Sequence, residues 1–421
     1  MNASELDPKR YGVIGVAVSG GIDSMCLLHY LSRTGASMVA LTVEHGIRGE
    51  ASLADVRLVE DYCRTLGVPC LVHRVDAPAY AAAHHMGVEQ AARELRHAFF
   101  AQMREEGRVD CIATAHHLDD QAETVLLHLL RGAGPAGMRG IGEREGYLRP
   151  FLGCTRADIE AYARQYGVPY REDATNRDTT YSRNYLRHEV LPLIEARFPA
   201  YRDSLARFAS VAAEQVDLLD SLSVPPTVEG GVVYLPLEAF RLHPVLAKWS
   251  VRRALLHFDH GVDVEAVHIE EVTTLPEGAN NRVVCLPHGV RAALEYDRVA
   301  FWRPLAEDVQ YPFGEGKFAF GAVTVTVRPY REGDKLRFDL DRVPDGAVLR
   351  LRADGDVIAK FGGGTKSLGD YYTDKKVPLR ERDSYPVVAV GQHILVCRAD
   401  ISRDVAVTEG TRRIYTITQE D

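Results

Sequence analysis

The chain is expected to be an α/β protein: a doubly wound, mainly parallel sheet, then a helical and mixed middle domain and a small α+β C-terminal domain. Three observations predict this. Apolar β-type runs at 12–18, 38–43, 70–75 and 109–113 alternate with helical periodicity at 53–66 and 88–106, the pattern of a parallel sheet covered on both faces. The first run passes into Ser19-Gly20-Gly21-Ile22-Asp23-Ser24 and then into an apolar helix at 25–31, a strand–glycine turn–helix unit. From Tyr311 onward the pattern turns to β, with strict alternation at 322–327.

Length and composition agree with that architecture. A chain of 421 residues has room for two or three domains, and 46% hydrophobic with 26% charged residues is ordinary for a globular protein. No apolar run approaches the ~20 residues that span a bilayer, and the first ten residues hold no apolar core of a signal peptide, so no membrane association and a cytoplasmic location are expected. The seven cysteines are scattered, with no Cys-x-x-Cys, which argues against a disulfide framework, a zinc ribbon or an iron–sulfur site. A net charge of −9 does not favour nucleic acid, so any RNA contact must use a local basic face.

Element by element, the helix after the glycine turn directs its unpaired N–H groups and its positive end back at the loop, which makes the loop an anion site suited to phosphate. Glu44-His45-Gly46-Ile47-Arg48 follows the second strand and suits a turn beside a nucleotide. In the helix at 88–106, Glu89 stands four residues before Arg93, either a solvated ion pair or an arginine turned toward phosphate. His116-His117-Leu118-Asp119-Asp120-Gln121-Ala122-Glu123 begins where the fourth strand ends. A spacing of three places Asp120 and Glu123 on one helical face, which reads either as a capped helix start or as a binding site for a metal or an ammonium group. In open parallel sheets ligands bind at the carboxyl ends of the strands, so all three loops should meet there. The polar run at 173–187 is too long for a simple connector and reads as a functional loop or an RNA-facing surface. A helix at 200–221 leads to Ser223-Val224-Pro225-Pro226, giving expected domains of 1–221, 222–310 and 311–421.

The stretch SGGIDS after a strand resembles the signature of the PP-loop ATP pyrophosphatases, a Rossmann-like family whose members cleave ATP between the α- and β-phosphates and adenylate a substrate. With EHGIR, EQAARELRHAFF, TAHHLDDQAETVLLHLLRG, YLRPFL and DATNRDTTYSRNYLRHEVLP in that order, the chain is similar over nearly its whole length to one branch, the bacterial tRNA(Ile)-lysidine synthetases. The resemblance implies a two-step ligation. The wobble cytidine of an isoleucine tRNA with a CAU anticodon is adenylated, and the ε-amine of L-lysine then displaces AMP.

By the same resemblance, Ser19, Gly20, Gly21, Ile22, Asp23, Ser24 and His45 would bind ATP, with Asp23 holding Mg2+. Asp120 and Glu123 would hold the ammonium groups of lysine, with Arg183 closing over the site. His116 and Arg93 would sit near the α-phosphate. The expected partners are that tRNA, lysine, ATP and a second copy of the chain. A PP-loop thiolase would need paired cysteines and an amidotransferase-linked synthetase a glutaminase domain, and neither is visible in the sequence. A metal-dependent phosphohydrolase using His116, His117, Asp119 and Asp120 would leave SGGIDS unexplained, and a non-catalytic tRNA binder would leave the acid pair beside the phosphate loop without use.

Overall fold

The computed structural model describes residues 10–142, 145–171, 178–258, 264–278, 282–304, 309–320, 323–398 and 400–420. The chain divides into two compact units, residues 1–217 and 218–421.

In the first unit five parallel strands form one sheet. Strands β1 (Val13–Ala17), β2 (Ser37–Glu44), β3 (Cys70–Arg74), β4 (Cys111–Ala113) and β5 (Tyr147–Leu148) lie in the order β3-β2-β1-β4-β5. The chain steps outward from β1 to β3 and then crosses to the other side, so order reverses between β1 and β4, where such sheets bind ligands. Helices α1 (Ile22–Ser32), α2 (Glu50–Leu66), α3 (Ala77–His84), α4 (Val88–Glu105), α5 (Leu118–Leu130), α6 (Pro135–Met138) and α7 (Arg156–Tyr166) connect and cover the strands. Helix α1 is apolar nearly all round because it is buried nearly all round. Met25, Cys26, Leu27, Leu28 and Leu31 join Ile14, Val16, Phe151 and Ile159 in one core. A second core, Leu41, Phe99, Phe100, Met103 and Ile112, packs α4 on the opposite face.

The helical end of this unit runs through α8 (Ser182–Tyr185), a π-helical turn at Leu186–Val190, α9 (Leu191–Arg197) and α10 (Tyr201–Leu222). Residues 172–177, which hold the whole DATNR stretch, lie outside the described residues.

The second unit holds three antiparallel or mixed sheets. In the first, β6 (Thr227–Glu229), β7 (Val232–Pro236), β8 (Val283–Cys285), β9 (Arg291–Glu295) and β10 (Arg298–Trp302) pair in the order β6-β7-β10-β9-β8, against helices at Pro244–Leu255 and Ala266–Thr273. The remaining strands form sheets of six and four, and the alternating strand Val323–Pro329 pairs antiparallel with Ile414–Glu420. The mixed middle part and the α+β C-terminal part are as the sequence predicts. Gly362, Gly363 and Gly364 form the turn of a β-hairpin between Val357–Ala359 and Thr365–Ser367. No helix among the described residues is long and apolar enough to cross a membrane.

The turn after β1 rests on Gly20. Its φ of +85° favours glycine, and a Cβ there would lie 3.3 Å from the Cβ of Asp55 on α2. Its carbonyl accepts from the backbone N–H of Arg171 (3.0 Å), and Arg171 Nε in turn donates to Asp55 (2.6 Å). Gly20→Ala is expected to destabilise the protein by about 1–2 kcal/mol through backbone strain, with crowding against Asp55 added. Gly35→Ala, at φ +76° in open space, carries the strain alone and should cost less; urea unfolding of the two variants checks the difference.

Candidate active site

Because β1, β2 and β4 are parallel neighbours, the loops that follow them open on one edge of the sheet. In the β1 loop, Ser24 closes the turn: its hydroxyl donates to the Gly21 carbonyl (2.9 Å), accepts from Ser19 N–H (3.1 Å) and lies 3.2 Å from Ser19 Oγ. Ser24 therefore shapes the loop with its hydroxyl, while Ser19 is exposed. Gly21 caps α1 without any side chain. Among the described residues no acceptor takes the N–H groups of Ile22 and Asp23, which leaves the positive end of α1 open to an anion.

The β4 loop delivers the acids. His117 and Asp120 cap α5 reciprocally, Asp120 Oδ2 accepting from His117 N–H (3.1 Å) and His117 Nδ1 from Asp120 N–H (3.4 Å). One oxygen of Asp120 therefore caps the helix, as the first reading of the sequence has it, and the other faces Arg187. One turn on, Glu123 is 1% exposed. Arg187, from the π turn, donates to both Glu123 oxygens (2.5 and 2.7 Å) and approaches Asp120 Oδ1 (3.4 Å). Arg183 stands four residues earlier on the same face, donates to Thr124 Oγ1 (2.5 Å) and lies 3.7 Å from Glu123. Burial pushes the Glu123 carboxyl above its ordinary range, against the pull of Arg187.

Asp23, in the first turn of α1, meets the same cluster. Its Oδ2 accepts from Arg156 Nη1 (2.7 Å), whereas the buried Oδ1 has no hydrogen-bond partner and lies 3.8 Å from His117 Nε2. Burial raises its pKa, with His117 and Arg156 opposing. Asp119 points elsewhere, accepting from Arg156 N–H (2.8 Å) and Arg202 Nε (2.5 Å), and so ties α5 to α7 and α10. Among the described residues no three His, Cys, Asp or Glu side chains form a metal-holding group. The orphaned Asp23 oxygen instead fits a magnesium ion held by one carboxylate together with oxygens of a bound phosphate.

His116 packs beneath the cluster with Nδ1 2.9 Å from Thr114 Oγ1. Burial lowers its pKa to about 4, aided by Arg149, Arg183 and Arg96 and opposed by Asp120, so the ring is neutral at neutral pH. His45 is likewise held below its ordinary range by burial and then by Arg96, and its Nδ1 is buried without a partner.

Arg93 is exposed and makes no ion pair with Glu89 or any other described residue. Arg96, three residues on, is exposed as well and has no carboxylate partner among the described residues, but its charge acts on both His45 and His116. The protein packed around its guanidinium lowers its pKa, and so does the nearby Arg93. The structure thus brings Asp23, Asp120, Glu123 and Arg183 together and adds His117, Arg156, Arg187 and Arg96. Arg96 and Arg187 lie within motifs legible in the sequence but unassigned there, and nothing local marks Arg156.

A parallel sheet whose first strand runs through SGGIDS onto an uncapped helix start defines a PP-loop nucleotide-binding domain, and the PP-loop domain family model matches residues 2–194. The chain is 31% identical to the tRNA(Ile)-lysidine synthase of Dehalococcoides mccartyi (strain CBDB1), across 96% of this chain and 94% of that protein. It is also 31% identical to the protein of that name from Geobacillus kaustophilus (strain HTA426), across 89% and 87%. Among solved structures, the likeness to the U34-tRNA thiolase NcsA from Methanococcus maripaludis is slight, with a TM-score of 0.42 and 16% identity over 48% of this chain and 72% of that one. The chain belongs to the tRNA(Ile)-lysidine synthase family.

The neutral His116 has a measurable consequence. In the unfolded chain it takes up a proton near pH 6.5, but in the folded protein only near 4, so between these values the unfolded state binds more protons and stability rises with pH. Urea unfolding midpoints are expected to rise from pH 4 to about 6.5 with a steeper slope in the wild type than in His116→Gln, the two running parallel above pH 7.

Proposed function

We propose that the chain ligates L-lysine to the wobble cytidine of an isoleucine tRNA with a CAU anticodon. It does so by adenylating the cytidine with ATP, with release of pyrophosphate, and then letting the lysine ε-amine displace AMP. The observation that carries this reading is the acid pair Asp120–Glu123, buried against a cation at the same sheet edge as the phosphate loop. A nucleotide site alone needs no such pair, whereas a diamino acid does, because an ammonium group taken out of water requires a carboxylate.

Backbone N–H groups of Ile22 and Asp23 would receive the pyrophosphate at the start of α1, with Gly20 keeping the turn tight and Ser19 and Ser24 shaping it. Asp23 Oδ1 would hold Mg2+, which when bound neutralises charge on the leaving group. Charge grows on the α-phosphate during adenylation. The neutral His116 can only donate a hydrogen bond there, so the positive charge must come from arginine. Arg96 fits that role better than Arg93 because its charge already acts on both His45 and His116 at this sheet edge. Glu123, with its pKa raised by burial, is a stronger base than a surface glutamate, and would take the proton that the ε-ammonium must lose before attack. Arg183 would close the site from the helical side.

Incorporation of radiolabelled lysine into an unmodified CAU-anticodon isoleucine tRNA transcript is expected to require ATP and to vanish when the wobble cytidine is changed. Pyrophosphate release with no label on the tRNA would overturn the lysine assignment. In the same assay Asp120→Asn should raise KM for lysine at least tenfold and leave KM for ATP within about twofold; equal effects would mean a structural or metal role. Arg96→Gln is expected to slow ATP–pyrophosphate exchange dependent on tRNA by about 10²-fold, the scale of one lost charge-stabilising donor, without lowering the melting temperature.

A further inference from the structure

The cation that fills the Asp120–Glu123 site belongs to the protein. Both oxygens of Glu123 are engaged by the Arg187 guanidinium, and the free oxygen of Asp120 faces the same group. With Glu123 1% exposed, an incoming ammonium has no unoccupied face of that carboxylate to approach.

Building on the lysine reading above, we infer that Arg187 is a tethered competitor for the amine substrate: its guanidinium occupies the amine site of the resting enzyme and must leave before lysine binds.

Charge balance requires some occupant. Two carboxylates one turn apart repel each other, and Glu123 is shut off from water, so an empty site is costly. Exchange of a guanidinium for an ammonium keeps the charge constant, and the cost of opening is only the difference between two ion pairs.

The mount of Arg187 suits departure. Its side chain is 34% exposed, so it reaches the acids from the solvent side. It stands on a π-helical turn, Leu186–Val190, where hydrogen bonds span five residues and helix geometry is least favourable. On either side Leu186 and Leu191 are buried anchors, while Tyr181 and Tyr185 are exposed. Arg183 keeps its own acceptor, Thr124 Oγ1, and does not depend on the exchange.

Such a competitor lowers apparent affinity by the fraction of molecules in which it has left the site. It also shows that the pocket accepts a guanidinium, which is otherwise the nearest wrong substrate chemistry: free L-arginine is opposed in the wild type by the arginine already bound.

The test is steady-state kinetics of lysine transfer with Arg187→Met, which keeps an unbranched apolar stem and removes the charge. KM for lysine is expected to fall about tenfold, and the inhibition constant for added L-arginine to fall by a similar factor. A raised KM with unchanged inhibition by arginine would overturn the inference and make Arg187 an attractive contact for lysine. Arg187→Lys, which keeps the charge but not the two-pronged grip, should lie between the two and covers the case in which the methionine variant does not fold. A wild-type measurement needs no variant: on adding lysine and ATP without tRNA, amide exchange across residues 183–191 should quicken, and unchanged or slowed exchange would overturn the inference. If the wild type transfers no lysine at all, the functional reading itself fails; transfer with KM unaltered in both variants removes the tethered competitor alone.

Discussion

A carboxylate that is almost wholly excluded from water must be given a cation, and Glu123 imposes this on everything around it. The cation comes from a helical segment far along the chain, so that segment has to pack on α5, and α8 and the π turn do so. Arg183 and Arg187, four residues apart, then present to one face of α5, the first to Thr124 and the second to the acid pair. The extra residue of the π turn belongs to this arrangement, since it changes the direction of the side chains that follow without ending the helix. Asp119, beside the pair but turned away, fastens the start of α5 to α7 and α10, so the acids sit on a fixed mount.

The site is divided by charge. On one side lie the open start of α1 and the unpaired Arg96, suited to the phosphates of a nucleotide. On the other lie Asp120 and Glu123, suited to a cation, with Asp23 at the junction, one oxygen paired with Arg156 and the other orphaned. Two substrates of opposite charge can therefore be held at one sheet edge without either neutralising the other's partners. His116 stays neutral between the two halves because burial and three arginines outweigh Asp120. A charged imidazole there would blur the division.

Much of this was legible in the sequence, and the reason is that the legible parts are local. The strand, the Gly20–Gly21 turn and the helix start are contiguous, so a phosphate loop is written in consecutive residues. Asp120 and Glu123 are three apart on one helix, so their shared face follows from helical geometry alone. The alternation of strands and helices forces a parallel sheet, and a parallel sheet forces its loops to one edge. The order of motifs along the chain then sufficed for the family.

What the sequence could not supply is every relation that crosses the fold. Arg187 meets Glu123 across 64 residues and Arg156 meets Asp23 across 133, and no periodicity reports a contact at that distance. Arg93 and Arg96 differ by less than one helical turn and are both exposed, and only packing decides that the second comes near enough to act on His45 and His116. That the Ser24 hydroxyl closes the turn on Gly21 is likewise visible only in the folded loop. The chemistry available at this site, then, was set by residue types and short spacings. Which charges face the site and which are already paired was decided by the tertiary structure, because desolvation and ion pairing depend on neighbours in space, not along the chain.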